Sequence, residues 1–191
     1  MLGIKNYENK GEKASVSAEM LSKIERLIAD LRSNDGTVRR EARHALVFVG
    51  GPIVDLLIPL LKEPNDDVRW EIAKALAEIA DPRAASDLAG QLMDHNFGIR
   101  WLAAEALISM GRDALEPLLE ELTKHPESSW LRSRALHVLH DLAKKAPDMR
   151  ELVGPVITAL EGFEPEVGCL RPAYAALDKL RSSDNKLWLA L

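Results

Sequence analysis

The chain has a single cysteine, Cys169, among 191 residues. No intramolecular disulfide can form, and there is no Cys-x-x-Cys pair for redox or zinc chemistry. Positive charge is not in excess: 25 Lys and Arg stand against 30 Asp and Glu, a formal charge of −5. Gripping a phosphate backbone normally calls for a basic chain, so nucleic acid is not the expected partner. Long hydrophobic runs are missing too. The longest apolar-type stretch, Ala45 to Val54, is broken by Gly50, Gly51 and Pro52 and is too short to span a membrane. The opening MLGIKNYENKGEKAS has neither an apolar core nor a cleavage site. A secretory signal is therefore not expected, and residues 1–15 are read as a disordered tail. A cytoplasmic protein without a membrane partner is the expectation. Gly-x-Ser-x-Gly, Walker and Gly-x-Gly-x-x-Gly sequences are also missing, so no catalytic residue and no cofactor is assigned.

What the chain does have is repetition. Four stretches align: TVRREARHALVFVGG from Thr37, DVRWEIAKALAEIAD from Asp67, GIRWLAAEALISMGR from Gly98 and WLRSRALHVLHDLAK from Trp130. Each carries an apolar residue followed by arginine, at Val38-Arg39, Val68-Arg69, Ile99-Arg100 and Leu131-Arg132. Seven residues after each arginine stands Leu46, Leu76, Leu107 or Leu139, at successive spacings of 30, 31 and 32. A degraded fifth copy, VGCLRPAYAALDKL, aligns on Leu177. Self-similarity with a period near 31 marks a repeat architecture.

Within a copy the apolar spacing is helical. Val68, Ile72, Ala75, Leu76 and Ile79 form one stripe of an α-helix. Sustained two-residue alternation is nowhere found, so strands are not expected. Shorter apolar segments follow each copy, at Ile53 to Leu61, Ala84 to Met93, Ala114 to Leu122 and Arg150 to Leu160. Gly50, Gly111 and Asp81-Pro82 mark the turns between first and second helices. Met20, Leu21, Ile24, Leu27, Ile28 and Leu31 add an amphipathic helix ahead of the first copy, with Ser17 as its expected cap. The unit is a pair of antiparallel helices, and the chain is read as all-α.

The stretch from Asp66 to Ala84, Asp-Asp-Val-Arg-x-x-x-Ala-x-Ala-Leu-x-x-Ile-x-Asp-Pro-Arg-Ala, resembles the HEAT repeat, most closely the bacterial subtype of phycobilisome-lyase-type proteins. The resemblance implies a right-handed α-solenoid, a superhelix of about five helix pairs over residues 16–181, closed by an end-cap tail at 182–191. It implies a concave face lined by the arginine-bearing helices, and a ladder in which each arginine bonds an acidic residue near the preceding helix end. Glu63 and Asp94, each six residues before an arginine, are the candidates, with Asp35 and Asp66 nearby.

On a wheel of about 100° per residue, Trp70 lies opposite the stripe of its own helix. Its row comprises Arg40, His44 and Val47, then Trp70, Lys74 and Ala77, then Trp101, Glu105 and Ile108, then Ser133, His137 and His140. By the resemblance this row is the concave surface. An apolar centre with polar ends suits a groove that binds another protein or a peptide. The alternative is that the two indoles stack only to close the inner curve. Trp130 is expected to staple a helix start and Trp188 to cover the end of the stack. His137, His140 and Glu105 offer three metal-type ligands but no fourth, so no metal site is assigned. The His-Glu pairs of HEAT-like deoxyhypusine hydroxylases are missing, and acidic Glu71 and Glu105 beside Arg40 and Lys74 do not suit the duplex binding of HEAT-like DNA glycosylases. The expected function is a non-catalytic interaction scaffold or adaptor. The subtype resemblance leaves a second reading, a bilin lyase or bilin-handling subunit with the chromophore in the aromatic groove.

Overall fold

The computed structural model describes residues 18–188, with side chains through residue 182. The 1–15 tail, the Ser17 cap and the Trp188 side chain lie outside the described residues. Among the described residues there is no strand, and no single helix is long and apolar enough to cross a membrane.

Helix α1 (Ala18–Asp30) precedes four helix pairs. The first helices of the pairs are α2 (Gly36–Val49), α4 (Asp66–Ile79), α6 (Phe97–Met110) and α8 (Ser129–Lys145). The second helices are α3 (Val54–Leu57), α5 (Ala85–Gly90), α7 (Leu115–Lys124) and α9 (Pro147–Leu160). The first three of these are short and extended by 3₁₀ turns, such as Gly51–Ile53 and Ile58–Lys62 around α3. A one-turn α10 (Pro165–Gly168) and a long α11 (Leu170–Trp188) complete the described chain.

The ends of the first helices repeat as faithfully as their middles. Four residues before each ladder arginine stands a cap: Asp35, Asn65, Asn96 and Ser128. Each side chain accepts a backbone N–H from the first turn, at 2.7 Å from Thr37, 2.8 Å from Asp67, 2.8 Å from Gly98 and 3.3 Å from Leu131. Four residues after the repeat leucine the chain leaves the first three helices at positive φ, 71° at Gly50, 53° at Ala80 and 68° at Gly111. Glycine adopts this conformation without cost; Ala80 holds it with a Cβ against the carbonyl.

Helices α2, α4, α6 and α8 pack side by side in chain order, and α3, α5 and α7 form a second layer behind them. Leu46, Leu76, Leu107 and Leu139 are completely buried between the layers. Truncating any one of them to Ala costs roughly 2–5 kcal/mol. Val68, Ile99 and Leu131 are buried as expected. Val38 is only half-buried; among the described residues, α1 alone packs on that flank of α2. Central α6 is buried over about half its residues, through Ile99, Leu102, Ala103, Ala104, Ala106, Leu107 and Met110, and leaves Phe97, Trp101 and Ser109 exposed. It has α4 and α8 on its flanks and α5 behind it.

The degraded fifth copy behaves differently. Its helix α11 docks against the second-layer helices α7 and α9. Arg181 ties it to α7 by donating to Glu116 at 2.6 Å and to Glu120. The helix runs without a break past residue 182, where the end-cap tail was drawn from the sequence.

Candidate functional site

The ladder arginines divide between architecture and surface. Each donates to the backbone carbonyl six residues earlier: Arg39 to Ser33 at 2.8 Å, Arg69 to Glu63 at 2.7 Å, Arg100 to Asp94 at 2.6 Å, and Arg132 to Pro126. The six-residue spacing therefore marks a carbonyl, not a carboxylate. Acidic partners come instead from the following repeat. Arg39 pairs with Asp67 at 3.0 Å, Arg69 with Asp94 at 2.8 Å, and Arg132 with Glu166 at 3.7 Å. Of the expected partners, Asp66 does bond Arg69, at 2.8 Å, whereas the Glu63 carboxylate turns to Arg32 and Asp35 serves as a cap. The Asn96 amide, with Arg69 and His95, holds the Asp66 carboxyl below the ordinary aspartate range.

Arg100 breaks the series. Among the described residues it has no carboxylate partner; its guanidinium lies 4.4 Å from the centre of the Trp130 ring and 5.7 Å from that of Phe97. Arg134, one turn along α8 from Trp130, lies 5.5 Å from the Phe97 ring. Phe97, Trp101 and Trp130 are 61%, 47% and 48% exposed. Trp130 is thus no staple. Ser128 is the cap of its helix, and the indole stands on the surface with a cation on its face.

The two tryptophans of the row also part company. Trp70 is half-buried and packs on the core. Its ring lies against Gly98, where an added Cβ would come within 3.3 Å of it. In the next repeat the position equivalent to Gly98 is Trp130, and Trp101 is exposed. Lys74 holds its ammonium 4.8 Å over Trp70.

Of the remaining row, Arg40 and His44 are exposed, while Glu105, Ile108, His137 and His140 are half-buried. His44 has its Nε2 2.8 Å from Arg43. The structure brings His137 to Glu105 at 3.4 Å and to Asp141 at 4.0 Å. His140 leaves its row mates for Glu161, 2.9 Å away. No cluster of three or more metal-ligating groups forms among the described residues.

Glu71 is not on this surface. It is buried with Arg43, whose Nε donates to it at 2.9 Å and whose Nη1 donates to Glu78. Arg43 stands where the next two copies have Ala73 and Ala104. That exchange of a small residue for a long cation was the available signal for an ion pair between α2 and α4.

Two overlapping stretches, residues 24–107 and 54–140, match the family model for HEAT repeats. Together they cover well over half of the chain. The chain belongs to the HEAT-repeat family. The match is to HEAT repeats in general, without the phycobilisome-lyase subtype. A search of curated proteins finds no match. Among solved structures this HEAT-repeat chain is similar to three engineered proteins, each 22% identical. One aligns over 81% of this chain and 77% of its own with a TM-score of 0.41. A second covers 85% and 49% with a TM-score of 0.45, and a third 86% and 84% with 0.39. The HEAT-repeat assignment rests on the family match and on the stacked helix pairs.

Proposed function

We propose that this HEAT-repeat α-solenoid is a non-catalytic scaffold that binds a protein or peptide along the exposed row of its first helices. The observation that carries the reading is the gathering of Phe97 and Trp130, each about half exposed, around Arg100 and Arg134, which have no carboxylate partner among the described residues, with exposed Trp101 next to Arg100 in the chain. Aromatic and arginine side chains grouped at a surface are the composition of interaction hot spots. The three rings are held by helices whose caps and ladder fix them, so little ordering cost is added on binding. Arg40, His44, Lys74, Glu105, Ile108, His137 and His140 line the same row and supply its polar margins. The bilin-handling reading depended on the subtype resemblance, and the general HEAT match does not extend it.

Capture from a native lysate with parent protein and with a Phe97→Ala/Trp101→Ala variant tests the proposal. A partner retained by the parent and lost by the folded variant is the expected result. A partner retained equally by both would move the binding surface elsewhere, and a visible chromophore in the eluate would favour the bilin reading.

A further inference from the structure

Each of the four first helices contributes a cation that has no carboxylate partner among the described residues: Arg40 on α2, Lys74 on α4, Arg100 on α6 and Arg134 on α8. The other ladder arginines, Arg39, Arg69 and Arg132, all meet acids, in a chain that has acids to spare. The last three of these cations lie on one continuous surface. Lys74 covers Trp70, Trp70 lies against Gly98, Phe97 next to Gly98 in the chain has Arg100 and Arg134 beside its ring, and Arg100 also lies over Trp130. The rings hold the cationic heads in place, yet they leave most of their N–H groups without an acceptor. Among the described residues Lys74 and Arg134 make no hydrogen bond, and Arg100 uses only Nη1, toward the Asp94 and His95 carbonyls.

Neighbouring helices pack roughly 8–10 Å apart, and an extended chain advances about 3.1–3.4 Å per residue. One carboxylate per helix therefore means one acidic residue in about every three. A polyproline II segment has three residues per turn, so residues i, i+3 and i+6 share one edge. In a β-strand the same residues would alternate between faces. We infer that the row takes a polyproline II segment with acidic residues at every third position, whose carboxylates meet Lys74, Arg100 and Arg134 in turn. The apolar residues between them rest on Trp70, Phe97, Trp101 and Trp130. This inference rests on the reading of the row as a protein-binding surface.

A single-stranded nucleic acid would also stack on aromatic rings beside arginine. The observations favour the peptide. The chain has a net charge of −5, and Glu105 and Asp141 sit further along the same helices. A strand with a charge at every nucleotide meets that field in full, whereas carboxylates separated by two neutral residues meet it in part.

The test titrates the full chain with a labelled nine-residue peptide of three Glu-Pro-Leu units, read by anisotropy and by tryptophan emission. Its Gln-Pro-Leu counterpart and a thymidine oligonucleotide are run alongside. The acidic peptide is expected to bind at least about ten-fold more tightly than the Gln peptide, and more weakly as salt rises. Lys74→Ala and Arg134→Ala, which remove heads outside the ladder, should each weaken it about three- to ten-fold. Equal affinity for the Gln peptide, or no binding of either peptide, overturns the acidic preference. The scaffold proposal would survive both outcomes if the Phe97→Ala/Trp101→Ala variant still lost its lysate partner. An oligonucleotide that bound more tightly than the acidic peptide would overturn the inference in favour of single-stranded nucleic acid.

Discussion

Replacing Arg69 by Ala should destabilise the solenoid by about 3 kcal/mol, and Arg100 by Ala only by about 1–2 kcal/mol. Arg69 is 6% exposed and donates to Asp94 at 2.8 and 3.3 Å, to Asp66 at 2.8 Å, and to the Glu63 and Pro64 carbonyls at 2.7 and 3.1 Å. Its loss strands Asp94, whose side chain is 7% exposed, with the Asn96 backbone N–H at 2.7 Å as its main remaining donor. A buried charge deprived of its partner costs about 3–5 kcal/mol, and the surviving N–H places Asp94 at the lower end. Arg100 strands no charge. It gives up two carbonyl bonds, at 2.6 and 3.0 Å, and its two aromatic faces. Urea unfolding followed by far-UV circular dichroism measures both variants. A cycle adding Asp94→Asn should return a coupling of about 1–3 kcal/mol with Arg69. If Arg69→Ala unfolds within about 0.5 kcal/mol of the parent, or no more easily than Arg100→Ala, the separation of ladder from surface fails.

Ala80→Gly should stabilise the chain by up to about 1 kcal/mol, since relief of the left-handed Cβ clash exceeds the entropy added to the unfolded chain; a lower urea midpoint would contradict this. Acid should destabilise the fold from about pH 4 downward. Asp66, held low by Asn96, Asp81, held low by Arg83, and Asp141, held low by Lys144, all regain ordinary values on unfolding. The unfolded chain then takes up protons first as the pH falls, so their contribution is complete above the ordinary aspartate value and lost below it. A urea midpoint that stays level through that range would refute the assignment. Cys169 is buried, and burial pushes its thiol up, so a thiol reagent should react only as the chain unfolds; prompt reaction of the native protein would contradict the packing of α11.

The helix pairs were legible because their signal is periodic: the arginine, the leucine seven residues on, and the turn beyond it recur in register. The caps at Asp35, Asn65, Asn96 and Ser128 recur equally well and could have been read from the same alignment. The partners of the arginines could not. A spacing of six along the chain locates a carbonyl in the same turn, whereas the acid that neutralises Arg69 is Asp94, brought alongside by packing of the next repeat. A helical wheel placed Trp70 and Trp101 alike, yet Trp70 packs on the core against Gly98 while Trp101 is exposed. Glu71 looked like a surface acid for the same reason, because the cation that buries it belongs to another helix. The fifth copy carried two warnings, Pro172 and a spacing of 38 to Leu177, and its helix joins the second layer.

Site-specific photo-crosslinking tests the central claim most directly. A crosslinking residue placed at Trp101 on α6 is compared with one at Ser86 on α5 and one at Tyr174 on α11, all three exposed. In a native lysate the account predicts a discrete protein adduct from position 101 and none from 86 or 174. Adducts from 86 or 174 with none from 101 would show that partners approach the second layer or the closing helix, and the aromatic row would be surface packing alone.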